Sequence, residues 1–88
     1  GLIQATKYLS SVLAPFAVRV NSISYGPFPS FSVQSSSPRF IDKLAAQTHL
    51  KRIGDPSEAS GVVNFLLSQE SSYITGADIP VDGGWTAW

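Results

Sequence analysis

The stretch Val18–Pro29, VRVNSISYGPFP, decides how this chain is read. Its first half, Val18 to Ile23, is short, β-branched and largely apolar. That is the pattern of a strand covered on both faces, as in a parallel sheet. Its second half breaks the strand at once, with Gly26, Pro27 and Pro29 around Phe28. A punctuated loop at the carboxyl end of a parallel strand lies where open α/β sheets hold their ligands.

Working backward, Leu2, Ile3, Leu9, Val12 and Leu13 fall on one face at helical spacing, and Pro15 stops that helix. Working forward, Ser30 to Ser37 is serine-rich and carries little helix or strand signal. Pro38 suits the first turn of a second helix that runs to about Gln47, with Phe40, Ile41, Leu44 and Ala45 on one face. Asp55-Pro56-Ser57-Glu58 is a helix start: Asp55 caps, Pro56 sits first inside, and Glu58 lies three after the cap. Ala59, Val62, Val63, Leu66 and Leu67 form the face expected to be buried. Gly76 marks a turn, and Ala77 to Val81 is a last short strand before Gly83-Gly84.

The order is helix, strand, helix, helix, strand, which is an α/β pattern. Two strands joined by a helical crossover form a parallel pair. Two strands alone are too few for such a sheet, so the pair is expected to be one edge of a larger doubly wound one. Residues 1–88 form a single segment, with no internal repeat. The chain has no Met, so Gly1 is not an initiator position, and no capping residue precedes the first helix. The expectation is that something lies upstream.

Composition excludes several classes. Apolar residues make up 43% and charged ones 14%, with six Lys plus Arg against six Asp plus Glu. No basic excess exists to bind nucleic acid or an anionic membrane. Cysteine is absent, which rules out disulfide and thiolate chemistry. No apolar run approaches the roughly 20 residues needed to span a bilayer. A cytoplasmic location is expected.

Four stretches carry a family resemblance: LAPFAVRVNSIS, GPFPS, LKRIGDPSEASGVVNFLLS and SSYITGADIPVDGGW. At these separations they resemble the C-terminal part of the short-chain dehydrogenase/reductase family. The resemblance implies a Rossmann-like parallel sheet that binds NAD or NADP. It also implies hydride transfer between a nicotinamide and a small carbonyl or alcohol substrate. It places the backbone near Gly26, Pro27 and Phe28 beside the nicotinamide amide and the Ser30 hydroxyl beside the diphosphate, and makes Phe31 to Gln47 the substrate lid. The family usually has Pro where this chain has Tyr25. The ending VDGGWTAW faintly resembles sugar-acid dehydrogenases and 3-oxoacyl reductases.

The same resemblance removes the catalytic groups from this chain. The family's glycine-rich phosphate loop, its catalytic Ser and its Tyr-x-x-x-Lys all lie upstream of the matched portion. Tyr8, Tyr25 and Tyr73 are followed four positions on by Val12, Pro29 and Ala77, so no Tyr-x-x-x-Lys occurs. Asn21 is not the family's catalytic asparagine. No catalytic residue is assigned, and the chain alone is expected to bind no cofactor. Its partners are expected to be a second copy or the missing N-terminal part. The rival reading is a non-catalytic oligomerisation or binding module derived from the same fold.

Other residues are read as structural. His49 is alone and is read as a solvated loop residue. Asp78 and Asp82 flank the last strand with no third ligand, so turn and edge roles are favoured over a metal pair. Lys51 and Arg52 are read as solvated rather than as a phosphate grip. Trp85 and Trp88 pack either on a neighbouring subunit or internally.

Overall fold

A computed structural model describes residues 1–88. The elements are α1 (Leu2–Leu13), a 3-10 turn (Ala14–Phe16), β1 (Ser22–Tyr25), α2 (Phe31–Ser36), α3 (Pro38–Ala46), α4 (Pro56–Leu67), a second 3-10 turn (Gln69–Ser71) and β2 (Asp78–Val81). β1 and β2 are hydrogen-bonded neighbours in a two-stranded sheet. Ser22 N donates to the Ala77 carbonyl and Gly26 N to that of Val81, each at 2.9 Å. Pairing advances in step along both strands, which is the parallel arrangement. No helix is long and apolar enough to cross a membrane.

The chain divides into two units, Gly1–Ser24 with Ser60–Ile79, and Tyr25–Ala59 with Pro80–Trp88. In the first, Ala17 takes a left-handed φ of 58° after the 3-10 turn. Sequence pattern puts a strand at Val18 to Ile23, but the strand begins at Ser22. Opposite Val18 to Asn21 lies a turn rather than a strand. Val20 N donates to Thr75 Oγ1, Gly76 N to the Val20 carbonyl, and Asn21 Nδ2 to the Ile74 carbonyl. Asn21 Oδ1 in turn accepts from Ala77 N. The extended segment is therefore held by a turn and a side-chain amide before ladder pairing starts. Arg19 fastens the same region, donating to the carbonyls of Leu66 at 2.8 Å and Ile74 at 2.9 Å. It thus satisfies one of the carbonyls that the end of α4 leaves without a helical partner.

In the second unit, Ser30 to Ser37 is not irregular as its composition suggests. It contains α2, capped by Ser30, whose hydroxyl accepts from Val33 N. Serine disfavours helices because its hydroxyl competes for backbone groups. Here Ser35 and Ser36 donate back to the carbonyls of Phe31 and Ser32, one turn earlier, so the competition is resolved inside the helix. The start of α4 follows the sequence pattern. Asp55 Oδ1 accepts from Ser57 N at 2.9 Å, and Glu58 Oε1 accepts from Asp55 N at 2.9 Å, a reciprocal cap.

The α4 face expected to be buried is not: none of Ala59, Val62, Val63, Leu66 and Leu67 is buried. No hydrophobic residue is buried, and the buried side chains are Thr6, Ser22, Thr48 and Ser71. Leu2, Leu9 and Val12 of α1 are exposed, as are Val63 and Leu67 of α4, the last at 80%. Helical spacing identified these faces, but two strands and four helices supply too few layers to cover them.

Candidate functional site

The loop that leaves β1 carries the residues expected to face a cofactor. Gly26 N pairs with the Val81 carbonyl, so the loop starts from the last rung of the sheet. A Cβ at Gly26 would run into the Cβ and Cα of Asp82, so only glycine permits this backbone approach. The Pro27 carbonyl accepts from Gly54 N at 2.9 Å. The Phe28 ring lies so close over Gly54 that a side chain there would strike it. The same ring meets Tyr25 edge-on with centroids 5.5 Å apart. Tyr25 Oη donates to the Ala59 carbonyl at 3.3 Å. Tyr25 thus has a packing role of its own.

Beyond Phe28, the Pro29 carbonyl accepts from Gln34 Nε2 at 3.1 Å, and the Ser30 hydroxyl lies 3.1 Å from that of Ser32. Gly26, Pro27, Phe28 and Ser30 therefore sit together on one loop. Its backbone is fixed from two sides, by the strand end and by Gly54. Pro27 and Pro29 leave it little conformational entropy to lose.

Behind this loop stands a charged brace. Arg52 donates from Nη1 and Nη2 to the two oxygens of Glu58 at 2.7 and 2.8 Å. Arg52 also donates to the Ile53 carbonyl at 3.2 Å. The guanidinium first, and then the Asp55 N–H, hold the Glu58 carboxyl down from 4.5 to about 2. The same bond raises the Arg52 pKa. The Ser57 hydroxyl and N–H hold the Asp55 carboxyl below its ordinary range. Arg52 is exposed, as its sequence context suggested, but it is also paired. Its fork is spent on Glu58, and Lys51 Nζ donates to the Ala46 carbonyl at 2.8 Å.

The other candidates are engaged by the chain's own donors. Asp78 accepts from the hydroxyls of Ser22 and Ser24. Asp82 accepts from Gly84 N, Thr86 N and the Thr86 hydroxyl, and that hydroxyl chiefly holds its pKa low. No group of three or more His, Cys, Asp or Glu is placed to hold a metal. His49 is exposed, yet its ring lies against that of Trp88, tilted by 47° with centroids 4.0 Å apart. Trp88 Nε1 donates to the Gln47 carbonyl at 2.7 Å. Neither contact was legible locally, since 39 or more residues separate the partners.

Residues 1–86 match the family model described as enoyl-(acyl carrier protein) reductase. The chain is 42% identical over 86 residues to dehydrogenase/reductase SDR family member 4 of Bos taurus, covering 96% of this chain and 31% of that protein. It is 39% identical over 84 residues to cyclopentanol dehydrogenase of a Comamonas species, covering 93% and 34%. Among solved structures, a short-chain dehydrogenase from Leptospira borgpetersenii with bound NAD+ matches at a TM-score of 0.82 and 42% identity, covering 96% of this chain and 32% of that one. A 4-hydroxyisoleucine dehydrogenase complexed with NADH matches at a TM-score of 0.88 and 29% identity, covering 99% and 37%. The chain spans about a third of the length of the curated relatives it matches.

Proposed function

Because this chain belongs to the short-chain dehydrogenase/reductase family, we propose that it is the C-terminal, cofactor-side segment of an NAD(P)-dependent oxidoreductase acting on a small carbonyl or alcohol. The observation that carries the proposal is the loop Gly26–Ser30 at the carboxyl end of a parallel strand, fixed from both sides. When bound, the nicotinamide supplies or accepts the hydride. The chain's own contribution is position: backbone groups of Pro27 and Phe28 orient the carboxamide, Ser30 approaches the diphosphate, and 31–47 covers the substrate. A fixed loop binds without first paying an ordering cost. The phenol and ammonium that move the proton in the family come from elsewhere, so the chain alone turns over no cofactor.

A chimera tests this. The corresponding third of the Comamonas cyclopentanol dehydrogenase is replaced by this chain. The expected result is retained nicotinamide-dependent turnover, with Ser30→Ala raising the cofactor KM several-fold. A folded chimera with no cofactor binding would overturn the assignment.

The bare faces of α1 and α4 support a second part of the reading. Exposed apolar surface on this scale is covered by protein in use, either a second copy or the remainder of the domain. Sedimentation of the chain alone is expected to show association that grows with concentration. A folded monomer at every concentration would contradict it.

A further inference from the structure

Gly54 lies in the link before α4, and its backbone conformation does not call for glycine. The glycines with left-handed φ are Gly76, Gly83 and Gly84. What excludes a side chain at Gly54 is the Phe28 ring, because an added Cβ would collide with its Cδ1, Cε1 and Cζ. The ring also meets Tyr25 edge-on, so displacing it costs a second contact.

The same glycine holds the loop by its backbone. Gly54 N donates to the Pro27 carbonyl at 2.9 Å. The Pro27 carbonyl and the Phe28 N–H belong to one planar trans peptide, in which the two groups point in opposite directions. Fixing the carbonyl therefore aims the N–H. Pro27 has no N–H of its own, and the Phe28 N–H makes no hydrogen bond to another backbone group. Gly54 is itself held on both sides. Arg52 Nη1 donates at 3.2 Å to the Ile53 carbonyl, the other end of the Gly54 peptide. On the following peptide, Asp55 N donates to Glu58 Oε1 at 2.9 Å. The Arg52–Glu58 pair thus fixes the residue that fixes the loop.

We propose that Gly54 is a positioning residue for the nicotinamide end of the cofactor. It aims the Phe28 N–H through the Pro27 carbonyl, and its missing side chain gives the Phe28 ring a seat that keeps this peptide in place. It acts through Phe28 rather than by contact with the ligand. The role rests on the cofactor reading above, since the carboxamide is the group that the aimed donor serves.

Calorimetry on the chimera tests it with two ligands, NADH and ADP-ribose. ADP-ribose keeps the adenosine and the diphosphate and lacks the nicotinamide, so a residue that acts on the carboxamide donor leaves its binding alone. Gly54→Ala is expected to weaken NADH about tenfold, the scale of one hydrogen bond, and to change ADP-ribose by less than about twofold. Phe28→Ala removes the contested ring. The double variant is therefore expected to bind NADH more tightly than Gly54→Ala does. Equal NADH affinity in the parent chimera and Gly54→Ala would overturn the proposal. So would an equal loss for both ligands, which would mean general loosening, or a double variant no better than the single one. If Gly54→Ala does not fold, Phe28→Ala alone is expected to weaken NADH and spare ADP-ribose, and unchanged NADH affinity there would overturn the proposal too. A parent chimera that binds neither ligand removes the cofactor reading and this role with it. A parent that binds NADH no better than Gly54→Ala removes only the role of Gly54.

Discussion

Both strands of the sheet end in a glycine-containing loop, but the two exits are built differently. The exit from β2 closes on itself. Asp82 gathers three donors from Gly84 and Thr86, and Gly83 and Gly84 take φ of 62° and 91° to let the chain fold back. The exit from β1 is fixed from outside, by the Val81 carbonyl and by Gly54. A loop that satisfies its polar groups internally has little left for a ligand. A loop held at its edges by neighbours can be rigid and still offer backbone groups to something else. The difference teaches that preorganisation and internal saturation are separate properties, and a binding loop needs the first without the second.

The largest expected effect comes from joining the two exits by force. Gly26→Val puts a branched side chain into Asp82, where even a Cβ has no room. We expect a loss of about 1–3 kcal/mol or more, the range for overpacking, measured as a fall in denaturant midpoint. If the midpoint holds, the strand ends are not in the contact described.

A smaller effect separates the exits by acid. Glu58, held at about 2 against an ordinary 4.5, braces the link to the β1 exit, and Asp82, also held low, closes the β2 exit. Both carboxyls are easier to ionise in the folded chain. Their stabilisation is therefore present above their ordinary values and lost as pH falls through the folded ones. Stability should decline from about pH 5 towards pH 2. Glu58→Gln and Asp82→Asn should each flatten part of that slope, and an unaltered slope in both would reject the assignment.

Much of the β1 side was legible because its signals are local. Asp55-Pro56-Ser57-Glu58 forms its cap from residues two and three apart. The loop at Gly26 announced itself through Gly and Pro. Distant chemistry was not legible. Nothing near Gln47 points 41 residues ahead to Trp88, and the Arg52 fork reaches Glu58, six residues on, only once the α4 cap has placed that carboxylate. α2 was missed because serine propensity argues against helix, while the i−4 hydroxyl bonds that reconcile it depend on the helix already being formed. The β1 boundary was placed too early because apolar pattern cannot tell an extended segment facing a turn from one facing a strand.

The smallest stability effect is expected at Ser30. Its cap bond to Val33 N is 3.4 Å long, so Ser30→Ala should cost no more than about 0.5 kcal/mol, the lower end for a lost cap. Within the chimera the same change should be felt in cofactor KM. A large stability loss with unchanged KM would make Ser30 a structural cap rather than a cofactor contact.

The central claim is that this chain positions a nicotinamide and leaves proton transfer to other residues. Absorbance of NADH and NADPH, followed with small ketones and sugar acids, tests it most directly. The purified chain is compared with the chimera at equal concentration. The account predicts cofactor oxidation by the chimera and none by the chain above a protein-free control. Steady turnover by the chain alone would contradict it, because a proton donor would then have to lie among these 88 residues.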